Sequence, residues 1–226
     1  MNYSLNAPIV KILIHKDWYL LRKLIALYMT GALLALSFIS LGEWQFVMGT
    51  TLLFSMVIGL GNHQLTNTII NERKEQTLPL IMSLPIAPSD YVVAKLIANM
   101  TLFVIPWGVV VSATIAVFLL TPIPDGILPI TIIGALYFML CYCLTWSVGM
   151  ISESEGVVLF VMVFTNCLIG PMFYIIFRVP DIAQYVWSPE PHWNSTAISI
   201  IACLLALIVV AILAAFYSQA RKETFL

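Results

Sequence analysis

Six apolar runs, each close to 20 residues or longer, dominate the sequence and leave few folds open. A helix rises ~1.5 Å per residue, so about 20 apolar residues cross a ~30 Å hydrocarbon core. The runs fall near residues 24–41, 46–70, 91–120, 127–151, 156–177 and 196–219. The chain is 61 % hydrophobic and 9 % charged, with a mean hydropathy of +1.00. A soluble domain carries about a quarter charged residues, so lipid must cover much of this surface. The expected fold is an all-α integral membrane protein with six transmembrane helices in a single domain. A net charge of -1 leaves no electrostatic footprint for nucleic acid.

The basic residues set the expected orientation, because cytoplasmic loops retain lysine and arginine. Lys11, Lys16, Arg22 and Lys23 precede the first run, Arg73, Lys74 and Lys95 flank the connection between the second and third, and Arg221 and Lys222 follow the last. With six crossings all of these fall on one side and Arg178 alone falls opposite, which puts both termini in the cytoplasm of a bacterial inner or plasma membrane. Two prolines mark expected irregularities. Pro106 offers a kink in the third run and Pro171 a break in the fifth, because proline removes a backbone donor and clashes one turn back.

Residues 8–23 are too polar to span. Lys11, His15, Lys16, Asp17 and Arg22 interrupt the apolar Ile9, Ile12, Leu13 and Trp18. The pattern predicts an interfacial helix in the membrane plane, with its basic side chains towards anionic headgroups. It also does not read as a cleavable signal. At the opposite membrane face, residues 178–195 are aromatic and proline-rich. They are expected to fold back onto the membrane surface as a short helix and a turn.

Catalytic patterns are missing. The sequence holds no H-E-x-x-H, no G-x-S-x-G and no G-x-x-x-x-G-K-[ST] phosphate loop. The cysteines lie in apolar runs and read as small hydrophobes, and the three histidines lie on separate segments, so no metal site is expected. The expectation is a chain that is not an enzyme by itself and holds no cofactor. Polar side chains within spans are functional candidates by default. Asn62, His63, Gln64 and Asn67 cluster near the end of the second run, and Asn166 lies midway along the fifth. The first group lines a wet inner vestibule or else has already left the hydrocarbon. Asn166 lines the pathway or makes an interhelical hydrogen bond.

The connection at residues 71–90 is the most informative segment. Glu72, Arg73, Lys74 and Glu75 form a charged patch, followed by the apolar stretch Thr77, Leu78, Pro79, Leu80, Ile81, Met82, Ser83, Leu84, Pro85. Ser89 and Asp90 are suited to cap the third span. Apolar residues facing water require cover, either from a groove on a soluble protein or from the lipid surface.

The interfacial basic helix, the six spans and the spacing of Glu72, Thr77, Leu78, Ile81, Ser83, Leu84, Pro85, Tyr91 and Lys95 resemble the permease subunit of ABC transporters of the type-2 exporter class. Gln76 stands where that family usually has glycine, and Pro79 where it often has an acidic residue. The resemblance implies a homodimer of permeases, each docked through a coupling helix to an ABC ATP-binding subunit that holds ATP and Mg. It makes Glu72, Arg73, Thr77, Leu78, Leu80, Ile81, Leu84 and Pro85 the coupling surface, braced by the interfacial helix. Peptides, lipids, drugs or a haem-like molecule suit such exporters. The scarcity of pathway charges favours an amphipathic peptide. The rival readings are a membrane scaffold or immunity protein that does not pump, and an intramembrane lipid-modifying enzyme.

Overall fold

The computed structural model describes residues 7–74, 88–152 and 154–220, with the backbone alone at 73, 88, 89, 219 and 220. Among these residues all regular structure is helical: α1 (Ala7–Ile39), α2 (Glu43–Leu65), a π-helical turn (Thr66–Ile70), α3 (Asn71–Lys74), α4 (Pro88–Leu120), a 3-10 turn (Asp125–Ile127), α5 (Leu128–Ile151), α6 (Glu155–Cys167), α7 (Ile169–Ile176), α8 (Pro180–Ala183) and α9 (Ser195–Ala220). Six stretches are long and apolar enough to cross a membrane: Ala7–Ile39, Glu43–Ile70, Asp90–Leu120, Asp125–Ile151, Glu155–Ile176 and Ser195–Ser218. The fold class is the expected all-α membrane protein.

The hub is α5. Two-thirds of its apolar window (67 %) is buried, against 17–33 % for the other five spans. Helices α2, α4, α6, α7 and α9 pack around it, and α1 closes the bundle against α2 and α4. Helices α1 and α2 approach closely at Gly49, where a Cβ would lie 2.8 Å from the Ala35 carbonyl oxygen. Small residues permit this approach, and in lipid such packing is what drives helices together.

The first span differs from the sequence expectation. Residues 8–23 and the run that follows form one uninterrupted 33-residue helix, about 50 Å long. No separate interfacial helix breaks off at residue 23. Val10, Leu13, Asp17 and Leu21 are buried on one stripe, which continues through Ala32, Ala35, Leu36 and Ile39. Asp17, one of the polar residues that make residues 8–23 look too polar to span, is 1 % exposed, and its carboxylate is paired inside the protein. The buried stripe therefore includes a paired carboxylate, and between Leu21 and Ala32 it is only half-buried. Lower on the same stripe, Leu13 packs with Tyr91 and Ala94, and Leu21 with Ala98 and Leu102.

The two prolines act differently. α4 runs through Pro106 without interruption. The fifth span does break, but at Leu168 rather than at Pro171. Pro171 cannot bond to the carbonyl of Cys167 and its ring crowds that carbonyl. Cys167 is accordingly the last residue of α6, and Pro171 falls in the first turn of α7, where a missing N–H is harmless. At the start of α4, Pro88 takes the first helical position, so Ser89 and Asp90 lie within the first turn instead of capping it.

The segment after α7 carries the short helix α8 and folds over the end of α5. Gly126 donates its N–H to the Ser188 carbonyl at 3.0 Å, and Ile182 and Val186 are buried there. Asn194 caps α9, accepting the Ala197 N–H at 2.8 Å.

Candidate functional site

Four charged side chains and a tyrosine converge where α1, the α2–α3 unit and α4 meet. The Lys95 ammonium lies 2.9 Å from Asp17 Oδ2 and 2.8 Å from Glu72 Oε1. Lys16 reaches the same Glu72 oxygen at 2.5 Å and stands 3.5 Å from Asp17 Oδ1. The Tyr91 hydroxyl donates to Glu72 Oε2 at 3.3 Å. Asp17, Glu72 and Lys95 are buried, while Lys16 is 43 % exposed and closes the cluster on its open side. Two carboxylates face two ammonium groups, so the formal charges cancel.

Helix geometry explains why these charges are tolerated. Asp17 is 22 residues from Ile39 and Lys95 is 25 from Leu120, which puts both about 33–38 Å from the opposite ends of their helices. That is just past a ~30 Å hydrocarbon core. Ionisable groups near such depths face the protein interior and pair with one another. Removing one partner of a buried pair is costly, about 3–5 kcal/mol, because the other charge stays behind uncompensated.

The cluster brackets the connection of most interest. Glu72 stands just before residues 75–87 and Tyr91 and Lys95 just after. Thr77, Leu78, Leu80, Ile81, Leu84 and Pro85 lie outside the described residues, as does the Arg73 side chain. Glu72, expected on an exposed coupling surface, is 7 % exposed and points inwards. An exposed pair, Lys74 with Glu155 at 3.8 Å, ties α3 to the start of α6 as well. The other residues of the expected interfacial helix divide by face. Lys11, His15 and Arg22 are exposed, with the Arg22 guanidinium 4.1 Å from the centre of the Tyr19 ring. Trp18 turns inwards and donates to Thr101 Oγ1 at 3.2 Å.

A polar seam leads from the cluster into the hub. Asn99 donates through Nδ2 to the Lys95 carbonyl at 2.9 Å and accepts the Thr68 hydroxyl at 2.6 Å. Gln64 Nε2 donates to the Asn99 carbonyl and to the Tyr142 hydroxyl oxygen, both at 2.8 Å. Tyr142 donates to the same carbonyl at 2.9 Å, and its ring stacks on Phe103 with centroids 3.9 Å apart. Gln64, Thr68 and Asn99 are fully buried, and Gln64 Oε1 has no hydrogen-bond partner.

The five candidate pathway residues therefore separate. Gln64 belongs to the buried seam. His63 is exposed and its Nδ1 meets the Tyr28 hydroxyl. Asn67 donates to the His63 carbonyl at 2.8 Å, a bond within its own helix. Asn62 and Asn166 come together, both half-buried on the wall of a small cavity shared with Tyr142 and Thr145. Its volume of about 20 Å³ is room for one water.

Sequence reasoning missed Asp17, Lys95, Thr68, Asn99 and Tyr142 as site residues. The signal was present for the first two: a lone acid in an apolar helix and a lone lysine one turn into a span each require a partner. In the sequence Lys95 stands out only as a cytoplasmic flank and as a position in the family spacing.

The sequence profile of the ABC-2 family transporter proteins matches residues 12–220. No curated protein and no solved structure matches the chain. The match takes in all six spans, the ionic cluster and the polar seam, and members of this family generally work with an ATP-binding subunit. The chain belongs to the ABC-2 transporter family, as a multi-pass membrane permease component of an ABC transporter.

Proposed function

We propose that this permease is half of an ATP-driven exporter: a homodimer carrying two copies of a separate ATPase, with the termini and residues 75–87 on the cytoplasmic side of a bacterial plasma membrane. ATP and Mg belong to the partner, and this chain performs no chemistry of its own. The observation that carries the reading is the buried ionic cluster at both ends of residues 75–87. A segment anchored at Glu72 on one side and at Tyr91 and Lys95 on the other cannot be displaced without loading α1, α3 and α4 together. Breaking the cluster one partner at a time exposes an uncompensated charge, so the helices move as a unit when the ATPase pushes. Leu78, Leu80, Ile81 and Leu84 supply the apolar face that enters a groove on that partner. Asn62 and Asn166, two amides on the wall of one small cavity, are the pathway residues this reading retains. The cargo is an amphipathic molecule, a peptide ahead of a lipid or a drug.

Co-expression with the products of the neighbouring genes, followed by pull-down, tests the proposal. The expected result is a stable complex whose ATP hydrolysis depends on the permease. Leu80→Glu combined with Leu84→Glu should abolish co-purification while membrane insertion is preserved. Normal insertion with undiminished partner binding in that double variant would overturn the docking assignment. Failure of any phosphate-loop ATPase to co-purify would overturn the exporter reading.

A further inference from the structure

At the end of the bundle remote from the ionic cluster, α2, α4, α5 and α7 enclose a cavity of about 340 Å³. Along α2 it extends from Phe46 to Val57, eleven residues or about 16 Å of helix. Half of a ~30 Å hydrocarbon core is about 15 Å, so the cavity is as deep as one leaflet.

Its lining offers no free hydrogen-bond donor. The hydroxyls of Thr50, Thr114 and Thr131 donate to the carbonyls of Phe46, Val110 and Ile127 in their own helices, at 2.8, 2.8 and 3.0 Å. The Trp107 indole N–H donates to the Ala135 carbonyl at 3.1 Å. A hydrogen-bond acceptor placed inside would lose its partners in water and find no free donor here. Aromatic rings form much of the wall. Phe173 stacks on Phe54 with centroids 5.3 Å apart, and it lies against Gly134, where a Cβ would meet the ring at 2.6 Å. Val57 and Phe138 line both this cavity and the small one holding Asn62 and Asn166. They form the floor, so the apolar space ends where the amides begin. At the other end, the lining residue Phe177 is followed by the exposed Arg178, the one cation among the described residues at that end.

We propose that this cavity holds one acyl chain of a phospholipid from the adjoining leaflet, with the lipid phosphate at the level of Arg178. Depth selects a single leaflet-length chain, the spent donors select hydrocarbon, and the guanidinium selects an anionic headgroup. The site is separate from the coupling apparatus, and its occupancy does not depend on the exporter reading.

Full-length protein exchanged into phosphatidylglycerol-containing micelles and analysed by native mass spectrometry tests this. One phospholipid per chain should survive delipidation. Thr114→Phe and Val110→Phe, which place a ring in the cavity, should each lower retention by about tenfold. Val210→Phe, on the exposed face of α9, should leave it unchanged. Arg178→Gln should reduce the preference for phosphatidylglycerol over phosphatidylcholine. A wild-type measurement is independent of how the variants fold: a phosphatidylglycerol with a mid-chain diazirine should label peptides covering residues 46–57 and 107–118. Absence of a one-to-one phospholipid, equal retention in the filled variants, or retention of a non-lipid molecule would overturn the proposal. So would labelling confined to the outer faces of α6 and α9.

Discussion

The two ends of the bundle are held by different physics. At the end bearing Asp17, Glu72 and Lys95, helices join through charges and hydrogen bonds with fixed partners and directions. At the other end, α2, α5 and α7 meet through rings around open space, as where Phe54 stacks on Phe173 and meets Phe138 edge-on at 5.0 Å. Directional contacts fix one arrangement, because shifting any member leaves a buried group unpaired. Ring contacts are lost gradually and can be remade in a new register. One end of the molecule is therefore suited to passing on movement as a rigid unit, and the other to changing shape.

Substitutions can break or sharpen this contrast. The largest effect is expected for Lys95→Met, which leaves Asp17 and Glu72 buried beside each other with only Lys16 to offset them. A loss of about 3–5 kcal/mol is expected, read as a fall in the thermal midpoint of the purified protein in one fixed detergent. Adding Asp17→Leu should recover part of it, since the second change removes a stranded carboxylate. At the opposite end Phe173→Ala should cost about 1–2 kcal/mol, below the range for a fully buried ring because Phe173 is only half-buried. If Phe173→Ala proves the more damaging of the two, the contrast is reversed. The smallest effect belongs to Lys74→Ala. Its exposed pair with Glu155 should contribute less than about 0.5 kcal/mol, and that contribution should vanish in high salt.

Features of the fold that repeat along the chain were legible in the sequence. Apolar length alone predicted six spans, and Pro171 announced a break whose position at Leu168 follows from the carbonyl four residues earlier. Features that depend on partners distant in sequence were not. Asp17 looked like the edge of a polar face because its cation lies 78 residues further on. Gln64 looked like its neighbours Asn62 and His63. Only the arrival of Asn99 and Tyr142 from other helices makes it interior. The large cavity was invisible for a different reason: Thr50, Phe54 and Trp107 each have ordinary sequence environments, and empty space between helices belongs to no residue.

The π-helical turn at Thr66–Ile70 is where α2 adjusts its winding. Its signature is the Asn71 N–H, which reaches back five residues to the Thr66 carbonyl. In an unbroken α-helix, the eight residues from Gln64 to Glu72 would complete about 2.2 turns and leave their side chains about 80° apart. The wider turn absorbs that surplus. Gln64, Thr68 and Glu72 then form a single file facing Asn99 and Lys95 on α4. Rewinding this turn as ordinary α-helix, with no residue lost, would keep the helix and its hydropathy intact, yet it would swing Glu72 by about 80°. The phase of one turn decides whether residues 75–87 begin from an anchored carboxylate or a loose one.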